Sequence, residues 1–161
     1  MNEDDIGQFV ETYTNDDAAI CFRWNGKHGD EFDDANEVFR NAVIDRVINQ
    51  SEEAPLSLIV DLYRALTEYS AEAWCIDERV EDLAKIIIKA GGAQTARKFI
   101  VGAMQSFDAQ CATLFSGSPR DKVEDCIKLM QSKLASETKE DERAIWRFGL
   151  EHFNKLLRHA S

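Results

Sequence analysis

The sequence predicts an all-α fold, on three observations. Apolar residues recur at 3.6-residue spacing over most of the chain, the mark of amphipathic helices. Two prolines and eight glycines in 161 residues leave little to interrupt long regular elements. The turn-forming residues gather in a few clusters that separate the periodic stretches. At this length, with 44% hydrophobic residues, the chain fits one domain over residues 1–161 with a core of its own, which excludes intrinsic disorder. The expected architecture is a compact antiparallel helical bundle or a short stack of helical hairpins, with about seven helices.

Taken in order, Ile6, Phe9, Val10 and Tyr13 form a one-sided helical stripe, and Glu3, Asp4 and Asp5 suit its first turn. The same phase continues through Ile20 and Trp24, which predicts one helix to about Trp24. Two alternatives stay open for residues 14–24. Thr14-Asn15-Asp16-Asp17 could cap a second short helix, and Ile20, Phe22 and Trp24 alternate as a strand would. Asn25-Gly26-Lys27-His28-Gly29 is a loop. Asp33 or Asp34 then caps a helix to about Asn49.

Pro55 suits the first turn of the next helix. Residues 56–70 are apolar on two faces, so that helix is expected at the centre. The following helix ends at Gly91-Gly92. Residues 93–115 carry Ala96, Phe99, Ile100, Ala103, Phe107, Cys111 and Leu114 on one side of a predicted helix. Gly117-Ser118-Pro119 breaks the chain before a helix capped by Ser118, and a last helix runs from about Lys139 to Arg158.

Charge divides the chain into an acidic portion, 1–54, and a balanced helical core, 55–161. The first 54 residues hold fourteen acidic and four basic side chains, a net of −10, whereas the other 107 hold sixteen and fifteen, a net of −1. Such a field attracts cationic partners and repels nucleic acid and anionic membrane. The basic residues of the second half alternate with acids and lack interleaved aromatics, so no nucleic-acid footprint is expected. No run is long and apolar enough to span a bilayer, and the acidic start is unlike a secretory leader. Cys21, Cys75, Cys111 and Cys126 show no metal or redox spacing. They are expected as reduced thiols in apolar stripes, in a cytoplasmic protein.

No motif names a reaction. G-x-S-x-G, a phosphate-binding loop and a Cys–His neighbour pair are all missing from the sequence. His152 and His159 share a face without a Cys or carboxylate in phase, which argues against a zinc site. Trp74-Cys75 is expected in the core. No cofactor is predicted.

The candidate site is therefore a contact surface: Asp30, Glu31, Asp33, Asp34 and Glu37, with Trp24 beside them as a rigid anchor. Five carboxylates in eight residues repel one another unless a cation neutralises them, but the spacing does not match an EF-hand calcium loop. The function expected on these grounds is non-catalytic binding of a basic protein. Its most concrete form is a bacterial immunity protein that imitates the field of a basic nuclease's substrate. The alternatives are a helical adaptor, chaperone or regulatory module using apolar contacts and, behind it, an enzyme whose site sequence does not reveal. The sequence sets no oligomeric state.

Overall fold

The computed structural model of the chain describes residues 3–15 and 17–161; Met1, Asn2 and Asp16, the last of which belongs to the capping run above, lie outside them. Eight α-helices form among the described residues: α1 (Glu3–Thr12), α2 (Glu37–Asn49), α3 (Leu56–Ala73), α4 (Arg79–Gly91), α5 (Ala96–Ala103), α6 (Phe107–Ala112), α7 (Arg120–Ser136) and α8 (Glu140–Leu157). The fold is all-α, as the periodicity predicts.

α3 is the central rod. Ten of its eighteen residues are buried, from Leu58 to Ser70. Both apolar faces read from the sequence are satisfied, because α3 packs on α2, α4, α5 and α6. Each fully buried Leu or Ile contributes about 1.5–3 kcal/mol, which explains why this helix organises the others. Its Tyr63 hydroxyl donates to the Phe99 carbonyl of α5 at 2.8 Å. α5 comes close at that point because residue 102 is glycine: a Cβ there would overlap the Tyr63 ring. On the other side of α5, Gly149 of α8 leaves room for Ile100 and for Met130 of α7, at 3.2 and 2.8 Å from where its Cβ would lie. α7 and α8 fold back on each other as the most extensive helix pair.

Three helix expectations are corrected. α1 stops at Thr12, and the described residues of 13–36 form neither the long helix nor a regular strand, only a single 3-10 turn at Gly29–Glu31. Tyr13 leaves the helical path and donates its hydroxyl to Asp61 of α3 at 2.6 Å, while Ile20 reaches back into the core. The predicted helix over 93–115 is two helices. Ser106 takes an extended backbone and its Oγ accepts the Ala109 amide at 3.0 Å, starting α6 as a fresh N-cap. The helix after the Gly117-Ser118-Pro119 break starts at Arg120 with Pro119, not Ser118, at its cap.

The expectation that all four thiols lie in apolar stripes is also overturned. Cys126 is buried and Cys21 half-buried, but Cys75 and Cys111 are exposed. Cys111 rotates off the stripe assigned to it, and Cys75 lies beyond the end of α3. Trp74, expected in the core, is 77% exposed. His152 is a core residue: its Nε2–H donates to the Thr113 carbonyl at 3.2 Å, and its ring stacks on Phe148. Burial pulls its pKa down to about 4, so the imidazole is neutral near pH 7.

Candidate functional site

The segment between α1 and α2 holds the predicted contact residues, and one ion pair inside it fixes its shape. Asp34 and Arg40 have side chains 0% and 1% exposed, with Arg40 Nη2 donating to Asp34 Oδ2 at 2.5 Å. The second carboxylate oxygen accepts the amides of Arg23 and Asn36 at 3.0 and 3.1 Å. Asn36 in turn donates to the carbonyls of Ala18 and Cys21 at 2.7 and 2.9 Å. The Arg40 guanidinium lies 5.9 Å from the centre of the Tyr69 ring of α3. A chain with no regular structure is thereby closed on the start of α2.

Asp34 is thus removed from the acidic surface. It is the one candidate contact residue that the structure buries, and its charge is spent on Arg40 rather than presented outward. A buried carboxylate survives only when paired and hydrogen-bonded. Asp30, Glu31 and Asp33 are exposed, whereas Trp24 and Glu37, in the first turn of α2, are half-buried.

Asp34 also faces Trp24 in an isolated antiparallel bridge, flanked by the amide of Asn25 on the Asp33 carbonyl and that of Ala35 on the Arg23 carbonyl. The bridge draws residues 25–33 into a tight loop. Gly26 and Gly29 supply the positive φ it needs, at 81° and 66°. Inside the loop Trp24 Nε1 donates to the Lys27 carbonyl at 2.7 Å, and Lys27 pairs with Glu31. That exposed pair contributes little stability, but it occupies the only cation of the loop's outer face among the described residues.

The loop carries its rings onto α3. Phe22 and Phe32 meet Tyr69 edge-on, with centroids 5.9 and 5.5 Å away. Trp24 continues the series, 6.3 Å from Phe32 and 4.7 Å from His28. His28 then stacks on Trp74 at 5.0 Å with an interplanar angle of 18°. The His28 ring is held there by a 3.1 Å hydrogen bond from Nδ1–H to the Glu72 carbonyl.

Trp74 ends the series in an unusual backbone state. It follows α3 in the left-handed region, φ 54° and ψ 31°. Glycine commonly takes that position after a helix, and an L-residue pays about 1–2 kcal/mol for it. The strain turns the indole out of the α3 phase and against His28. Sequence periodicity could not show this. Spacing from Tyr63, Leu66 and Ser70 places residue 74 on the buried side, and the helix stops one residue short of it.

Together the loop and the end of α3 form a shelf of Trp24, His28 and Trp74, with Asp30, Glu31 and Asp33 on the same loop. Such a surface can hold guanidinium or ammonium groups by π-face attraction and by ion pairing. Among the described residues, no group of three or more His, Cys, Asp or Glu is placed to hold a metal ion, and no helix is long and apolar enough to cross a membrane. Compared with known protein families, curated proteins and solved structures, the chain finds no significant match in any of the three.

Proposed function

We propose that this chain is a non-catalytic binding module for a basic protein, and that the Trp24–His28–Trp74 shelf is its contact surface. The exposed, strained Trp74 carries the proposal. An indole left in water at a cost in backbone strain is explained by a partner that covers it. The acids beside it select the sign of that partner. The narrower reading is an immunity protein that masks the basic cleft of a nuclease, where the acidic end speeds capture and the rings hold the complex. Four unpaired thiols suit a cytoplasmic setting.

A second surface favours the alternative of an apolar adaptor. Phe107 is 76% exposed and shares a shallow depression with Met104 and Phe148. The two readings separate by charge. The probe is a fluorescent arginine-rich peptide, titrated by anisotropy at low and high salt. Asp30→Lys, Asp33→Lys and Glu37→Lys together change the net charge from −11 to −5, as does a control reversing Asp121, Asp141 and Glu151. The shelf variant should lose about tenfold or more in affinity, and the control far less, with the difference fading in salt. Equal loss in both reduces the surface to general acidity. Peptide binding that needs Phe107 and ignores salt transfers the function to the apolar patch.

A further inference from the structure

A second site lies at the opposite end of α3. Its first turn, with the connector from α2, the last turns of α4 and the start of α7, encloses a cleft of about 610 Å³. That volume lies within the roughly 300–1,000 Å³ of small-molecule sites. The floor is apolar, with Leu56, Ile59, Ile86, Ala90 and Phe115 among its residues.

Three polar features stand around that floor. Lys85 and Lys89, one helical turn apart on α4, both line the cleft, against one acid, Glu52. Glu81 pairs with Lys85, which leaves Lys89 as the cation of the cleft that is free to meet an anion. Lys85 lies 5.8 Å over the Phe115 ring and pairs with Glu81 at 2.6 Å, while Lys89 has no ion-pair partner among the described residues. The wall is also formed by Gly117, Ser118 and Pro119, which lead into the seventeen-residue α7. The first amide of α7, that of Arg120, is taken by the Ser161 carbonyl at 3.1 Å, so this wall offers the Ser118 side chain rather than the helix start. Finally, Ser118 is 2% exposed and its buried Oγ has no hydrogen-bond partner. A buried hydroxyl without a partner is rare in folded proteins and is commonly met by a ligand or water.

We propose that this cleft binds an amphipathic carboxylate, with its hydrocarbon part on the Leu56–Ile59–Phe115 floor and its anionic head between Lys89, Lys85 and the Ser118 wall. The apolar area sets the class of tail and Lys89 sets the sign of the head. An uncharged chain would leave Lys89 and the Ser118 hydroxyl unmet, and a cationic one would face Lys89 directly.

The experiment is calorimetric titration of the whole protein with decanoate below its micellar concentration. Decyltrimethylammonium, the same chain length with a positive head, is the comparison. Decanoate should bind once per chain and more tightly than the cationic amphiphile, although the protein as a whole carries −11. Lys85→Gln with Lys89→Gln should weaken decanoate about tenfold. Ala90→Trp, a substitution from an exposed position into the cleft, should abolish binding. Circular dichroism confirms that each variant is folded; of the three altered positions on α4, Lys89 and Ala90 are exposed and Lys85 is half-buried. Equal or tighter binding of the cationic amphiphile overturns the proposal. So does the absence of saturable decanoate binding, or retention of affinity in the lysine variant. The arginine-peptide assay reads the other end of α3 and is independent of these outcomes.

Discussion

Cutting one partner from the Asp34–Arg40 pair tests whether the contact loop is built as described. Asp34→Asn keeps an oxygen for the Arg23 and Asn36 amides, so it isolates the loss of charge. What remains is a guanidinium 1% exposed, bonded to the Cys21 carbonyl at 3.4 Å and with an Nε that has no partner. Leaving one member of a buried pair uncompensated costs about 3–5 kcal/mol. For a chain of this size about 2–4 °C is lost per kcal/mol, so the midpoint should fall by about 6–20 °C. Arg40→Met should cost a similar amount by stranding the carboxylate. The double variant removes both charges, and its cost should fall short of the sum of the singles by about 2 kcal/mol or more. Urea unfolding followed by circular dichroism gives all three free energies. Single effects below about 1 kcal/mol, or simple additivity, would refute the lock.

Other outcomes follow from the same geometry. Trp74→Gly relieves a left-handed residue at φ 54° but gives up the His28 stack. Stability should therefore stay within about 1 kcal/mol of the parent, while arginine-peptide affinity falls; destabilisation beyond about 2 kcal/mol would make the ring structural. His152 has its folded pKa held at about 4, below its ordinary value of 6.5. Its unfolded form therefore binds the proton first. Stability should be full above about pH 6.5 and fall as pH drops from there to about 4, by up to about 3 kcal/mol. His152→Gln should flatten that part of a melting-temperature profile, and an unchanged slope would count against it. With a disulfide-type thiol reagent and no denaturant, Cys75 and Cys111 should react and Cys126 should not. Burial pushes the Cys126 thiol up to about 12. Modification of Cys126 at the rate of the exposed pair would contradict its packing.

What sequence could show depended on whether a feature was local. The two-faced stripe of α3 announces a central helix, because burial on both sides needs no knowledge of the neighbours. Gly91-Gly92 announces the end of α4, since Gly92 takes a φ of 49° that suits glycine. Asp34 could not be separated from Asp33 by pattern. Its fate rests on Arg40, which α2 turns inward, and on backbone amides eleven and two residues away. Trp74 and Cys111 fail for a shared reason. In each case a 3.6-residue phase runs on across a point where the helix has ended or restarted. For Cys111 a local signal exists: Ser106 before Phe107-Asp108 has the form of a helix N-cap, although an apolar stripe runs through it. For Trp74 no comparable signal exists, because a tryptophan takes the place where a glycine would mark the stop.

The unbroken course of α3 has a bearing on how the two ends of the molecule communicate. Leu56 and Ile59 lie at the cleft, and Trp74 at the shelf, fifteen residues further along. At 1.5 Å per residue that is about 22 Å of one rod. A signal between them needs an element with two alternative positions. Gly102 against the Tyr63 ring, and Ile100 against Gly149 of α8, leave α5 no room to slide past its neighbours. Occupying the cleft should then leave affinity at the shelf unchanged, and the two ligands should bind with additive free energies. The middle of the molecule acts as an insulator, so either end could change its specificity without disturbing the other.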